Sequence, residues 1–201
     1  MQADLLAVLQ RHVPAGAVAY AHQLWQESPF QLVLRHGRIS KLGDFSCRRG
    51  HPPRITVNAD SHPLLFLLTY VHEVAHLRVH QRLGWNAAPH GKEWKESFRA
   101  LCVPLFSLHI LPEPLACVLR DHLRNPTASS LTDPRLCHEL RQLDDRLRQG
   151  LLLADLPEGS EFQLQGRRFL KGKRKRTRIV CKEVTSRRHY LIAANAVVGN
   201  F

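Results

Sequence analysis

The sequence predicts a mixed α+β protein, and three observations predict it. Residues 30–58 hold short runs of strand composition separated by Gly, Pro and Asp. Residues 64–145 hold longer apolar stretches at helical spacing. Beyond residue 160, short alternating segments return between turn residues. Two parts are therefore expected: a domain over 1–150 with a small sheet and packed helices, and a small, basic, β-rich segment over 151–201. A chain of 201 residues suffices for one sizeable core and a small addition.

The elements follow in order. Leu5, Leu6, Val8 and Leu9 suit a short amphipathic helix over 2–11, interrupted by Pro14. A second helix over 15–27 carries Val18, Ala21 and Leu24 on one stripe and ends at Ser28-Pro29. Strands are expected over 30–35, over 40–46 with an interruption at Gly43-Asp44, and over 54–58, with a turn at His36-Gly37 and a loop over 48–53. A long helix over 64–82 follows, with Asp60 or Ser61 as its cap and Pro63 in its first turn. After a loop, a helix opens at His90, carries Trp94, Phe98 and Leu101 at helical spacing, and is stopped by Pro104. Helices over 112–123 and 131–143 are joined by a turn at 125–130. Strands over 162–165, 168–170, 178–181 and 190–192 complete the chain.

Composition excludes several classes. With 44% hydrophobic and 23% charged residues the chain has ordinary globular composition. No apolar run is long enough to cross a bilayer, and the N-terminus lacks the basic start of a signal peptide, so no membrane partner is expected. The five cysteines, at 47, 102, 117, 137 and 181, form no CxxC pair, which argues against a disulfide framework and a four-cysteine zinc ribbon. They fit a reducing compartment, hence the cytoplasm, and Cys102 and Cys117 are expected to be inert core residues. A net charge of +12 favours polyanionic partners, which would include association with a nucleoid.

Chemistry concentrates in the long helix. His72-Glu73-Val74-Ala75-His76 is an HExxH: residues four apart share a helix face, so two imidazoles can take two corners of a tetrahedral zinc site. Glu73 stands one residue on, placed to act as general base on a metal-activated water. One catalytic Zn2+ needs a third protein ligand. His80 continues the face but lies about 12 Å along the axis from His72, too far to share one ion. Arg82 stands where a metzincin would have its third histidine, and Met1 is the sole methionine, so there is no Met-turn. Glu93 and Glu96 remain candidates on the next helix. His90 is preferred, because the loop before it turns the chain back and Gly91 allows close approach.

Together, His72, Glu73, His76 and the HGKEW stretch (90–94) resemble the SprT-like zinc peptidases, relatives of the Spartan DNA–protein crosslink proteases. The likeness extends over about 30–104, where Ile55-Thr56-Val57-Asn58 precedes the apolar HExxH helix. PHGKEW (89–94), NPTASS (125–130) and KRTRIVCKE (175–183) are similar to bacterial members that lack a zinc ribbon. The resemblance implies a zincin-like core, His72, His76 and His90 as zinc ligands, Glu73 as general base, and a protein substrate. The strand over 54–58 is expected to offer an edge to that substrate; no oxyanion stabiliser is assigned, Tyr70 and His80 being the candidates.

Between Gly166 and Tyr190 eleven basic residues face one acid, Glu183. Arg167, Arg168, Lys171, Lys173, Arg174, Lys175, Arg176 and Arg178 are the expected contacts to DNA, bound through phosphates without regard to sequence. Phe169 and Tyr190 offer rings for stacking, and Arg48, Arg49 and Arg54 would extend the path near the cleft. Two other functions fit the same residues: a DNA-binding module with a structural or inactive zinc site, and a zinc peptidase unrelated to DNA.

Overall fold

The HExxH helix forms because its first half is apolar on every side. In the computed structural model, which describes residues 2–36, 41–127 and 129–199, it runs over Pro63–Leu83 with Leu64 to Val71 all buried. We label it α3. Before it come α1 (Gln2–His12), a 3-10 turn (Ala15–Ala17), α2 (Val18–Glu27) and three strands, β1 (Gln31–Arg35), β2 (Gly43–Ser46) and β3 (Arg54–Asn58). The Gly43-Asp44 pair therefore opens β2 and does not interrupt it. The expected turn at His36-Gly37 and the start of the 40–46 strand fall partly outside the described residues, as does Ala128 in the 125–130 turn. The cap of α3 is His62, whose Nδ1 accepts from the Leu64 N–H at 3.2 Å, in place of Asp60 or Ser61.

The described residues divide into two compact units, the first running to Thr127 and the second from Ser129 on, with Lys41 clustering with the second. In the first, the sheet has the order β1-β3-β2, with β1 parallel and β2 antiparallel to β3. The Arg54–Asn58 strand is thus central, and β2 is an edge. Alternation along the strands turns Gly43, Phe45, Ile55 and Val57 to the α3 face. Helix α3 packs on β2 and β3 and against α1, α2 and α4 (Lys92–Ser107). Tyr70 seals this packing, its hydroxyl donating to the Ala21 carbonyl at 2.9 Å. Pro104 lies inside α4 and does not end it; the fully buried Leu105 holds the last turn down. Helix α5 (Glu113–His122) closes the unit.

The second unit contains a 3-10 turn (Ser130–Thr132), α6 (Pro134–Leu143) and α7 (Asp145–Gln149), so these helices belong with the C-terminal strands, whereas the sequence placed the division at 150. Asp133 caps α6 and Asp144 caps α7, each accepting two backbone N–H groups. Strands β4 (Leu151–Leu152) and β9 (Val197–Val198) pair together. β5 (Glu161–Leu164), β6 (Arg167–Lys175), β7 (Arg178–Glu183) and β8 (His189–Ala193) form an antiparallel meander. Leu153, Phe162, Phe169, Ile179, Cys181, Ala194 and Val198 are its core. Cys102 is buried as expected, but Cys117 is exposed and is not a core residue. Among the described residues no helix is long and apolar enough to cross a membrane.

Candidate metal centre

Helix α3 supplies two histidines one turn apart, with Nε2 atoms at 3.3 Å. Gly84 ends the helix in the left-handed region, and the chain doubles back through a 3-10 turn (Gly84–Asn86). His90 then arrives with Nε2 3.0 Å from that of His76 and 3.3 Å from that of His72. Its φ of 56° lies in a region that residues with a Cβ avoid. Such backbone strain, on the order of 1–3 kcal/mol, is typical of functional positions. Gly91 keeps the loop tight: its N–H donates to the Ala88 carbonyl at 3.0 Å, and a Cβ there would meet Ala88 at 3.1 Å.

Ligands of a tetrahedral ion at about 2.1 Å stand about 3.4 Å apart. The three nitrogens, at 3.0 to 3.3 Å, are close to that edge length. Three imidazole nitrogens aimed at one point cannot all satisfy one another, because each neutral ring offers one donor and one acceptor. A shared cation resolves the conflict. The electrostatics favour the ligand form: burial foremost, then the neighbouring imidazoles, holds His72 down at about 2. Burial and then His90 hold His76 at about 4 against the opposing pull of Asp44, and burial lowers His90. All three rings are therefore neutral at pH 7. Among the described residues, these three are the group of His, Cys, Asp and Glu that could hold a metal.

No protein-family model, curated protein or solved structure matches the chain. What the site can do rests on its own geometry and on the residues around it.

Trp94, on the buried face of α4, forms the wall behind the rings. Its centroid lies 4.6 Å from that of His72, 5.3 Å from His76 and 4.7 Å from His90, and it stacks on Phe98 at 5.0 Å. On the sheet side Phe45 of β2 lies parallel to His76 at 6.5 Å. Glu73 is buried at 6% exposure and lies against Gly43 of the same strand. From sequence, none of Trp94, Phe45 and Gly43 is assigned a place at the site. The spacing of Trp94, four residues after His90, was the available signal; for Gly43 it was a glycine inside a strand.

Other expectations sort plainly. His80 is outside the triad, its ring on Phe45 and Trp85. Glu96 is exposed toward Lys92, and neither it nor Glu93 joins the histidine group. Tyr70 cannot serve an oxyanion, because it is wholly buried with its hydroxyl bound to α2. The strand over 54–58 has neighbours on both edges, so β2 is the strand beside α3 with an edge to offer. Arg54 is the cross-strand partner of Ser46 and so faces away from α3. With Gln31, Arg48 and His51 it lines a separate depression of about 160 Å³.

The eight basic residues expected to contact DNA divide into two sets. Arg167 donates to Glu183 at 2.5 Å and lies over the rings of Phe169 and Tyr190. Arg168 pairs with Glu161 at 2.6 Å, and the Lys171 ammonium donates to the carbonyls of Ala154 and Leu156. These three hold the fold. Phe169 is buried at 2% exposure and unavailable for stacking on a base. Lys173, Arg174, Lys175, Arg176 and Arg178 stand exposed around the β6–β7 hairpin tip.

Proposed function

We propose that this chain is a zinc-dependent endopeptidase of SprT-like type, acting on proteins associated with or crosslinked to DNA. The single observation that supports it most is the convergence of His72, His76 and His90 on one point, with Glu73 adjoining on the same helix. The likeness of the HEVAH and HGKEW stretches to that family points the same way.

The three imidazoles, held neutral by burial, would hold a zinc ion through Nε2. A zinc ion held there would supply Lewis acidity for a bound water and the scissile carbonyl. Glu73 takes a proton from the attacking water on a carboxylate oxygen and returns it to the leaving amine. Trp94 and Phe98 exclude water behind the ligands and fix the ring planes. The free edge of β2 orients an extended peptide by strand pairing. The exposed cations of the hairpin tip would contact phosphates without reading bases, which supports the DNA part of the proposal.

Glu73→Gln is the test. The variant is expected to hold one equivalent of zinc and to lose protein cleavage by at least about 100-fold, the usual scale for a general base. Wild-type cleavage by the zinc-loaded variant would refute the mechanism. Running the assay with and without single-stranded DNA separates a DNA-linked peptidase from one indifferent to DNA, and inactive wild-type protein that binds both zinc and DNA would indicate a binding module.

A further inference from the structure

Strand β2 contains a glycine that its backbone does not require. Gly43 is absent from the left-handed residues, which include Gly50, Gly84, Gly159 and Gly166. A glycine inside a strand weakens it through chain entropy and marks close approach by another group. That group is the HExxH helix. A Cβ at Gly43 would lie 2.5 Å from Thr69 Cγ2, 2.7 Å from Glu73 Oε1 and 3.0 Å from Glu73 Cγ. Real Cβ atoms do not stand this close to another heavy atom, so the carboxylate, the threonine or the strand would have to move. Gly150 and Gly172 are equally confined, but against Val197 and Val180 in the second unit.

Resting on the peptidase reading above, we propose that Gly43 is a positioning residue for Glu73. The bare Cα of the edge strand forms the wall that sets where the carboxylate stops. Glu73 is 6% exposed on α3, and its unbranched side chain takes its direction from what it packs against. Contact with β2 closes off one side of the carboxylate, on the helix that carries His72 and His76. The same contact places the edge that would pair with a substrate directly beside the base, so base and substrate strand share one reference surface. A methyl group at 43 would meet Thr69 Cγ2 and the Glu73 carboxylate first and push the carboxylate off line.

Two independent measurements test this. In a zinc-loaded assay on fluorescein-labelled casein, Gly43→Ala is expected to lower kcat by about 100-fold, the cost of a misplacement near 1 Å. KM is expected to stay within about twofold, with one equivalent of zinc retained. Thr69→Ser removes Cγ2 while keeping the hydroxyl that donates to the Leu65 carbonyl at 2.8 Å. The Gly43→Ala/Thr69→Ser double variant is expected to remain impaired; full recovery would show that the glycine serves only the threonine and overturn the proposal. The second measurement needs no activity. In metal-free protein, Gly43→Ala is expected to lower Tm by about 5 °C, and much less when Glu73 is also replaced by Ala, because the carboxylate is then gone. An equal loss in both backgrounds overturns the proposal. Should Gly43→Ala fail to fold, folding of Gly43→Ala/Glu73→Ala supports it and failure of both overturns it. If wild-type protein does not cleave casein, the peptidase reading fails, while the Tm comparison still decides whether Gly43 and Glu73 are coupled.

Discussion

Trp94→Ala should separate the stability of the first unit from the quality of its metal site. Trp94 is 1% exposed, so almost its whole side chain is removed from water. An indole buries roughly 150–250 Å², which at about 25 cal/mol per Å² is worth about 4–6 kcal/mol as an upper figure. Measured truncations of buried tryptophan cost about 3–5 kcal/mol, because the surroundings only partly collapse. The same change strips all three histidines of a ring neighbour at once, and loss of an orienting neighbour typically costs about 10–100-fold in metal affinity. Trp94→Phe keeps a stacked ring against Phe98 and should lose only about 1–2 kcal/mol. Urea unfolding of the metal-free proteins, followed by circular dichroism, reads the first quantity. Competition with a chromophoric zinc chelator reads the second. A Trp94→Ala protein that binds zinc as tightly as wild type would refute the claim that this wall orients the ligands, whatever its stability.

His90→Ala should reduce zinc binding to near zero at micromolar metal, whereas His80→Ala should keep one equivalent; elemental analysis after dialysis decides between the two histidines. The folded-state pKa values of His76, about 4, and His72, about 2, lie below the ordinary 6.5, so below pH 6.5 the unfolded chain binds more protons than the folded one. Metal-free protein should therefore keep full stability above about pH 6.5 and lose it as pH falls toward 4, and a Tm unchanged between pH 7.5 and 4.5 would contradict the burial argument. Reversing Lys173, Lys175 and Arg178 to Glu should weaken single-stranded oligonucleotide binding and flatten its salt dependence. Arg167→Glu should instead lower Tm, since that guanidinium is held by Glu183.

Much of the first unit was legible because its signals are local. Hydrophobic runs and turn residues set α3 and β3 almost to the residue, and helical periodicity put His72 and His76 on one face. His90 was legible only as a preference: nothing in spacing alone excludes Glu93 or Glu96. What places His90 is a left-handed residue at the end of a loop, a tertiary feature with no periodic trace. Errors fell where burial overrides a local rule. Pro104 should end a helix, but Leu105 is buried beneath it. Tyr70 shares a helix with the candidate site, but its hydroxyl reaches α2 on another side. Strand order was likewise invisible, since β1, β2 and β3 each look alike in sequence and only pairing shows that β3 is central.

The basic segment shows the same limit in electrostatic form. Composition counts charges and cannot tell a cation held by the fold from one left in water. Arg167, Arg168 and Lys171 lie nearest the meander's acids and open carbonyls, and the fold takes them. β6 and β7 run on through a bulge between Lys171 and Arg174 to the turn after Lys175, and the sequence places no acid between Lys171 and Arg178. Lys173 to Arg178 therefore keep their charge facing solvent at a two-residue turn. Such a tip can meet phosphates at little desolvation cost, whereas the inner three cations would first have to break their pairs. Charge that binds a polyanion here should thus be the charge the fold does not need, and substitutions at the tip should change affinity while leaving Tm alone.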